Sequence, residues 1–339
     1  MNADQILSIK LTEPERLFED RYGLPAQFKA LAKIWHPDLC RDSRASAVFA
    51  HIKALFDSAE KKAAAGEWSP VGKKVFECKD GATRTIRYKI SHRFELGETI
   101  YSGKVLAYLI DPAYGDLFGY AGSTIKSLRF SGPAMKAEME KYLPLEIASF
   151  ETKSGICVKV FQKTEDVVML RDLLDLKTRI EPVHAAWILN GIYNICCYLQ
   201  WEGLMHGGIT TESVFISPKH HSVMLYGGWW YAAKIGGRIR ALPKAVMDIC
   251  PPDIVREKSA SARVDLSAVR AIGREILGDR RGMALTRSKD IHSDIVQFLR
   301  LPAGENAQKE YQSWGNVLKS VFGDRRFVEM PVNLGDIYR

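Results

Sequence analysis

Pro37 cuts an otherwise continuous helical periodicity in two. Ahead of it Phe28, Leu31, Ala32 and Trp35 recur at three- and four-residue spacing, with Lys29 and Lys33 on another face. Behind it Ala45, Phe49, Ile52, Leu55 and Phe56 repeat the pattern. Proline disfavours helical geometry in the residue before it, so the first helix must stop at His36-Pro37-Asp38. The expected product is an antiparallel helical hairpin with a polar tip, preceded by one short helix within Glu15 to Tyr22. On residue type alone, His36 reads as a loop histidine, Pro37 as a helix stop and Asp38 as a cap for the next helix.

The rest of the chain sets wider bounds. At 339 residues a two-domain chain is favoured over one small core. No apolar run is long enough to cross a bilayer, and Met1 to Lys10 lacks the basic start and apolar stretch of a secretion signal, so a cytoplasmic protein with no membrane partner is expected. The six cysteines are scattered without a Cys-x-x-Cys pair, which predicts reduced thiols and no metal site. The net charge of +8 divides as +1 over residues 1–66, +4 over 67–250 and +3 over 251–339. Charge spread this thinly reads as a solvated basic exterior rather than a nucleic-acid footprint.

The hairpin with its tripeptide resembles the J domain of the DnaJ family. The shared features are a short first helix, a helix bearing Lys29 and Lys33, His36-Pro37-Asp38 at its end, and a helix carrying Phe49-x-x-Ile52-x-x-Leu55-Phe56. The resemblance implies that His36, Pro37 and Asp38 dock on a DnaK-class heat-shock chaperone and stimulate ATP hydrolysis there. Lys29 and Lys33 would then complement an acidic partner, raising association rate and fixing orientation; the alternative is a solvated helix face.

Alanine, glycine and proline over Lys61 to Pro70 mark a boundary, giving residues 1–66 as the helical domain. Residues 67–85 form a linker with a strand hairpin around Lys79-Asp80-Gly81, and residues 86–339 a second domain. There the pattern runs strand, turn, strand over Arg93 to Ile110, a turn at Asp111-Pro112, and a further strand to about Leu128. Ala134 to Leu143 reads as a helix, Ile156 to Phe161 and Val167 to Leu170 as strands. Glu181 to Trp201 is a long helix with Ala185, Ile188, Leu189, Ile192, Cys196 and Leu199 on one face.

After that helix, Met205-His206-Gly207-Gly208-Ile209-Thr210-Thr211-Glu212-Ser213-Val214 resembles the catalytic-loop frame of protein kinases, His-Arg-Asp-Leu-x-x-x-Asn. Leu225-Tyr226-Gly227-Gly228 falls where Asp-Phe-Gly belongs. Pro251-Pro252-Asp253 resembles Ala-Pro-Glu, and Asp265 begins a helix similar to one that braces the catalytic loop. The fold class expected is therefore α+β multidomain: a small helical hairpin followed by a bilobal, protein-kinase-like fold.

Within that resemblance the chemistry is degenerate. Phosphoryl transfer needs a carboxylate at the attacking hydroxyl and oxygen ligands for magnesium. Gly208 stands at the catalytic aspartate, Ser213 at the metal-binding asparagine, and Tyr226, or Gly227 in a shifted frame, at the metal-binding aspartate. Gly97 and Gly103 remain of a phosphate-covering loop, or belong to an ordinary hairpin turn. Lys126, or Ser123, would hold the strand-lysine position, with Glu138 or Glu140 as its helix partner. His206 would be core packing. Trp229, Trp230 and Tyr231 read as a buried plug in the nucleotide cleft, in preference to an exposed peptide-binding surface. A pseudokinase is expected, with no catalytic residue, no metal and no cofactor; metal-free ATP binding stays open.

Together these resemblances imply a co-chaperone that recruits a DnaK-class chaperone, its second domain holding a protein client. The competing readings are a scaffolding pseudokinase with a vestigial J domain, and a divergent nucleotide-transfer enzyme using Glu212 or Asp248.

Overall fold

The computed structural model describes residues 1–339 except 19–22, 66–67, 69–71, 325–326, 333–336 and 338–339. The chain divides into two compact units, Met1–Ile90 and Ser91–Arg339. No described helix is long and apolar enough to cross a membrane.

The first unit contains α1 (Ala3–Leu7), α2 (Leu24–Trp35) and α3 (Ala45–Ala64), followed by a hairpin of β1 (Lys73–Glu77) and β2 (Thr83–Arg87). Pro25 opens α2, where a missing N–H costs nothing, and His36 closes it in the extended conformation that a following proline demands. Phe28, early in α2, lies 4.6 Å from Phe56, late in α3, while His36 sits 5.5 Å from Phe49. The two helices are therefore antiparallel. Val48, Ile52, Leu55 and Ala59 of α3 are fully buried against Ile6, Phe18 and Leu24, each large aliphatic worth about 1.5–3 kcal/mol.

The short helix expected within Glu15 to Tyr22 is a single 3-10 turn at Pro14–Arg16, and residues 19–22 lie outside the described residues. The N-terminal helix is instead α1, started by a capping box between Asn2 and Gln5. Of the boundary placed over Lys61 to Pro70, Lys61 to Ala64 finish α3 and Trp68 packs on the helical core, while 66–67 and 69–70 lie outside the described residues.

The second unit opens with a five-stranded sheet of order β3-β4-β5-β7-β6, from β3 (Ile90–Phe94), β4 (Gly97–Tyr101), β5 (Val105–Ile110), β6 (Leu145–Glu151) and β7 (Cys157–Gln162). Between β5 and β6 run α4 (Gly115–Lys126) and α5 (Pro133–Met139). The strand expected to continue to Leu128 is thus a helix. Phe118, Ala121 and Gly122 fall at helical spacing and are buried, a tertiary contact that overrides the strand propensity of Tyr120, Thr124 and Ile125. Gly122 leaves room for the Lys159 ammonium of β7, from which a Cβ would lie 2.7 Å.

Below the sheet come β8 (Val168–Met169), α6 (Leu170–Leu176) and α7 (Pro182–Trp201), which is buried on nearly all sides. The strands β9 (Leu204–Met205) and β12 (Ala233–Lys234) pair, as do β10 (Val214–Ser217) and β11 (Ser222–Leu225). The chain continues through α8 (Lys244–Met247), α9 (Pro252–Glu257), α10 (Ala262–Ile276), α11 (Ser293–Arg300) and α12 (Ala307–Phe322). Arg270 of α10 is buried, doubly bonded through Nε and Nη2 to Glu310 of α12, and stacks 4.1 Å from the Phe298 ring of α11. That buried, satisfied pair ties three helices together.

Candidate functional site

The loop between β9 and β10 is held from beneath by α10. Asp265, buried in its first turn, accepts the amides of His206 (2.7 Å) and Gly207 (2.8 Å). Burial raises its carboxyl to about 7 even though the two amide donors favour the charged form. His206 is wholly buried, pushed down to about 3 by desolvation and so neutral, with its ring edge-on to Trp229 at 4.9 Å. Ser213 spends its hydroxyl within the loop: it accepts from the Thr210 amide (2.8 Å) and donates to the Thr210 carbonyl (3.1 Å). Arg171 of α6 donates to the Thr211 hydroxyl and to Glu275 of α10.

Above this loop lies a cleft of about 600 Å³ within the second unit. Phe94, Thr99 and Tyr108 of the sheet form one wall, and Gly208, Ser213, Gly227, Trp230 and Tyr231 face them. Trp229, Trp230 and Tyr231 form one buried 3-10 turn, as a plug would, but Trp230 and Tyr231 line the cleft rather than fill it, and Trp229 packs on His206. Trp230 stacks on Phe94 at 5.5 Å and meets Tyr108 edge-on at 5.0 Å.

Two pairs of glycines and neighbours shape the floor. A Cβ on Gly208 would lie 2.8 Å from the Gly228 carbonyl oxygen, and one on Gly228 would lie 2.6 Å from that of Gly208. The two backbones are therefore in contact, and Gly228 holds a left-handed conformation that suits glycine (φ +81°). A Cβ on Gly227 would lie 2.5 Å from the Tyr108 hydroxyl. Gly227 lines the cleft, whereas Tyr226 is packed edge-on against Phe215 at 5.3 Å, its phenol raised to about 12 by burial. Of the two frames left open by sequence, the one through Gly227 faces the cleft.

Several expected positions are not brought together. Lys126 ends α4, largely exposed, its ammonium 3.4 Å from Glu146. It is not a strand lysine, because the segment is helical. Glu138 sits on exposed α5, bonded to Lys141 (2.8 Å) and Tyr142 (3.0 Å), and reaches no strand; Lys141 holds its carboxyl below the ordinary value. Gly97 lies inside β4 and Gly103 in the turn between β4 and β5, so they do not share one loop. Gly97 serves strand packing: a Cβ there would collide with the Leu109 carbonyl.

The side chain that does occupy the third strand of the sheet, facing the cleft, is Tyr108. Sequence reasoning missed it, as it missed Lys159, a buried lysine bonded to Glu146 (2.8 Å) and Ser149 (3.2 Å). A lone lysine in the run Val158-Lys159-Val160-Phe161 was the available signal. His92 was also missed: its imidazole lies 2.7 Å from the buried Asp172 of α6. That hydrogen bond raises His92 above its ordinary value, and burial raises Asp172 above its own.

The three positions that the kinase resemblance assigns to base and metal offer neither a carboxylate nor an unengaged hydroxyl. Positions 208 and 227 carry no side chain and have no free space for a Cβ, and the Ser213 hydroxyl is engaged within its own loop. Among the described residues, no three His, Cys, Asp or Glu side chains group to hold a metal ion. Glu95 accepts from the Tyr231 hydroxyl (3.2 Å) and the Lys244 amide (3.1 Å), and Arg280 bonds Glu275 and the Ala245 carbonyl.

In the first unit, the His36 ring accepts from the Asp38 amide (3.3 Å), and the His36 carbonyl accepts from the Leu39 and Cys40 amides. Pro37 and Asp38 are exposed at the tip, as are Lys29 and Lys33 along α2.

No protein-family model matches the chain, and neither does any curated protein. Among solved structures, that of vaccinia related kinase 3 superposes with a TM-score of 0.49 at 13% identity, covering 75% of this chain and 92% of that one.

Proposed function

We propose that this chain is a co-chaperone that recruits and stimulates a DnaK-class ATPase through His36-Pro37-Asp38, and that its second unit is a kinase-like client- or partner-binding domain without phosphoryl-transfer chemistry. The observation that carries the first half is the placement of the tripeptide. It forms the exposed connection between two antiparallel helices that share one core, with the Asp38 side chain 87% accessible. A partner surface can therefore reach it without unfolding the hairpin. Lys29 and Lys33 add positive charge beside it, suited to steering toward an acidic partner.

The second half rests on the cleft. The loop braced by Asp265 has the form that positions catalytic groups in kinases, yet Gly208, Ser213 and Gly227 supply neither base nor metal ligand. A domain of this kind acts by holding a partner, raising its local concentration at the recruited chaperone.

The test is steady-state ATP hydrolysis by a DnaK-class chaperone with the intact protein and with His36→Gln. Stimulation by the first and not by the second supports the reading. Equal stimulation by both, or none by either, removes it. Magnesium-dependent ATP consumption without any chaperone, abolished by Glu212→Gln, would instead favour an enzyme using a carboxylate of the cleft wall.

A further inference from the structure

Between Glu212 and Asp248 the chain carries five lysines and arginines and no carboxylate side chain. Three of the five, Lys234, Arg238 and Arg240, stand exposed on β12 and the segment that follows it. The backbone there is fixed. The Gly237 amide donates to the Lys234 carbonyl (2.8 Å), closing a turn, and the Gly236 amide donates to the Ala260 carbonyl (2.8 Å). The Ile239 amide donates to the Lys258 carbonyl (2.8 Å), which brings exposed Lys258, at the end of α9, beside Arg238. Ile239 packs on the core of Met205, Val246 and Ile254, so Arg238 and Arg240 on either side of it are left to solvent. Arg240 lies over the Tyr120 ring at 4.2 Å.

These cations are unbalanced. Elsewhere in the second unit Arg171, Arg179, Arg263 and Arg270 each hold a carboxylate. Among the described residues no carboxylate pairs with Lys234, Arg238, Arg240 or Lys258; Glu257, next to Lys258 in the chain, is taken by Arg256 at 3.5 Å. Like charges presented together on a fixed frame repel, and a partner of opposite sign removes that cost. Lys258 carries a backbone cost as well: its φ of +53° is left-handed, so a lysine stands where glycine would be the easier residue.

The form of the patch selects the partner. A nucleic acid draws on a longer basic track and on open aromatic faces for its bases. Here the cations sit on two short neighbouring segments, and the ring beside them, Tyr120, is covered by Arg240. Exposed Ile235 adds an apolar contact next to Lys234. We propose that Lys234, Arg238, Arg240 and Lys258 form a docking surface for an acidic polypeptide segment, rich in aspartate and glutamate, of the partner that the second unit holds. The assignment rests on the partner-binding half of the proposed function and not on His36-Pro37-Asp38. Its test contains no chaperone, so the two readings fail separately.

The probe is fluorescein-labelled dodecaglutamate, titrated with the full-length protein and followed by fluorescence anisotropy. A glycine–serine peptide of the same length and dodecathymidylate are the comparisons. Dodecaglutamate is expected to bind saturably below millimolar concentration at low ionic strength and to weaken as salt rises; the glycine–serine peptide should not bind. Arg238→Glu with Arg240→Glu should weaken dodecaglutamate about tenfold. Lys136→Glu with Lys309→Glu, the same charge change on exposed positions of α5 and α12, should have little effect. Lys258→Gly separates binding from folding, because it removes the ammonium while relieving the left-handed backbone. It should weaken dodecaglutamate about threefold and melt no lower than the parent. Equal losses from the two double variants would assign the binding to net charge and overturn the proposal. So would undiminished binding by Arg238→Glu with Arg240→Glu or by Lys258→Gly, the absence of saturable binding, or tighter binding of dodecathymidylate than of dodecaglutamate.

Discussion

The Tyr108 hydroxyl stands where a side chain on residue 227 would have to go, with 2.5 Å between it and a Cβ built on Gly227. A tyrosine on the third strand and a glycine after β11 thus occupy one space between them. The pair leaves no room for a side chain at residue 227. Gly227→Asp is expected to destabilise the second unit by about 2 kcal/mol, the usual cost of overpacking, read as a lower midpoint in urea. The triple variant Gly208→Asp, Ser213→Asn, Gly227→Asp should show no magnesium–ATP-dependent rise in melting temperature. A clear rise would mean that the cleft accommodates those carboxylates.

Asp265 accepts both the His206 and the Gly207 amide. Asp265→Ala leaves two buried donors unmet and should cost about 3 kcal/mol. The pH dependence has a definite sign. A carboxyl raised from 3.8 to about 7 by burial binds its proton more tightly in the folded chain. Its contribution is full below 3.8 and is lost as pH rises to about 7. Asp265→Asn should flatten that slope in a urea titration series; an unchanged slope would assign it elsewhere.

His92 and Asp172 join β3 to α6. His92 is raised by the Asp172 hydrogen bond, so its contribution is complete below its ordinary 6.5 and is lost as pH rises through the folded value. Asp172, raised by burial, acts in the same direction at lower pH. The ring is more than a third exposed, so solvent screening limits the effect to about 0.5 kcal/mol. His92→Gln should remove the fall in stability between neutral and mildly alkaline pH. Arg93, Glu212 and Asp175 are the other charges near this pair, and Glu212→Gln should change the midpoint far less than His92→Gln.

Leu55 is fully buried in the helical core of the first unit. Leu55→Ala should destabilise that unit by about 3 kcal/mol through lost burial and a residual cavity. Leu39→Ala, at a position 71% exposed, should be near neutral. Helical circular dichroism during urea unfolding separates the two; equal effects would contradict the packing described.

Local chemistry made part of this molecule legible from sequence. Pro37 stops α2 because its ring disfavours helical geometry at His36, deep in the periodic pattern. The 3.6-residue periodicity of α2 and α3 selects their buried faces, and Asp80-Gly81 turns β1 into β2. The loop from His206 to Val214 and Asp265 at the start of α10 were legible only through their resemblance to the catalytic-loop frame of kinases and the helix that braces it.

What tertiary structure alone decided are contacts across long sequence separations. Tyr120, Thr124 and Ile125 favour a strand locally, yet α4 is helical because its Phe118, Ala121 and Gly122 face is buried and Lys159 presses on Gly122. Lys126 therefore ends a helix away from the cleft, while Tyr108 of β5 lines it. The contact of Gly208 with Gly228, and of Tyr108 with Gly227, depends on how closely separate backbones approach. No spacing or propensity encodes that distance; it is set by packing, which leaves room at these positions for a hydrogen atom and not for a carbon.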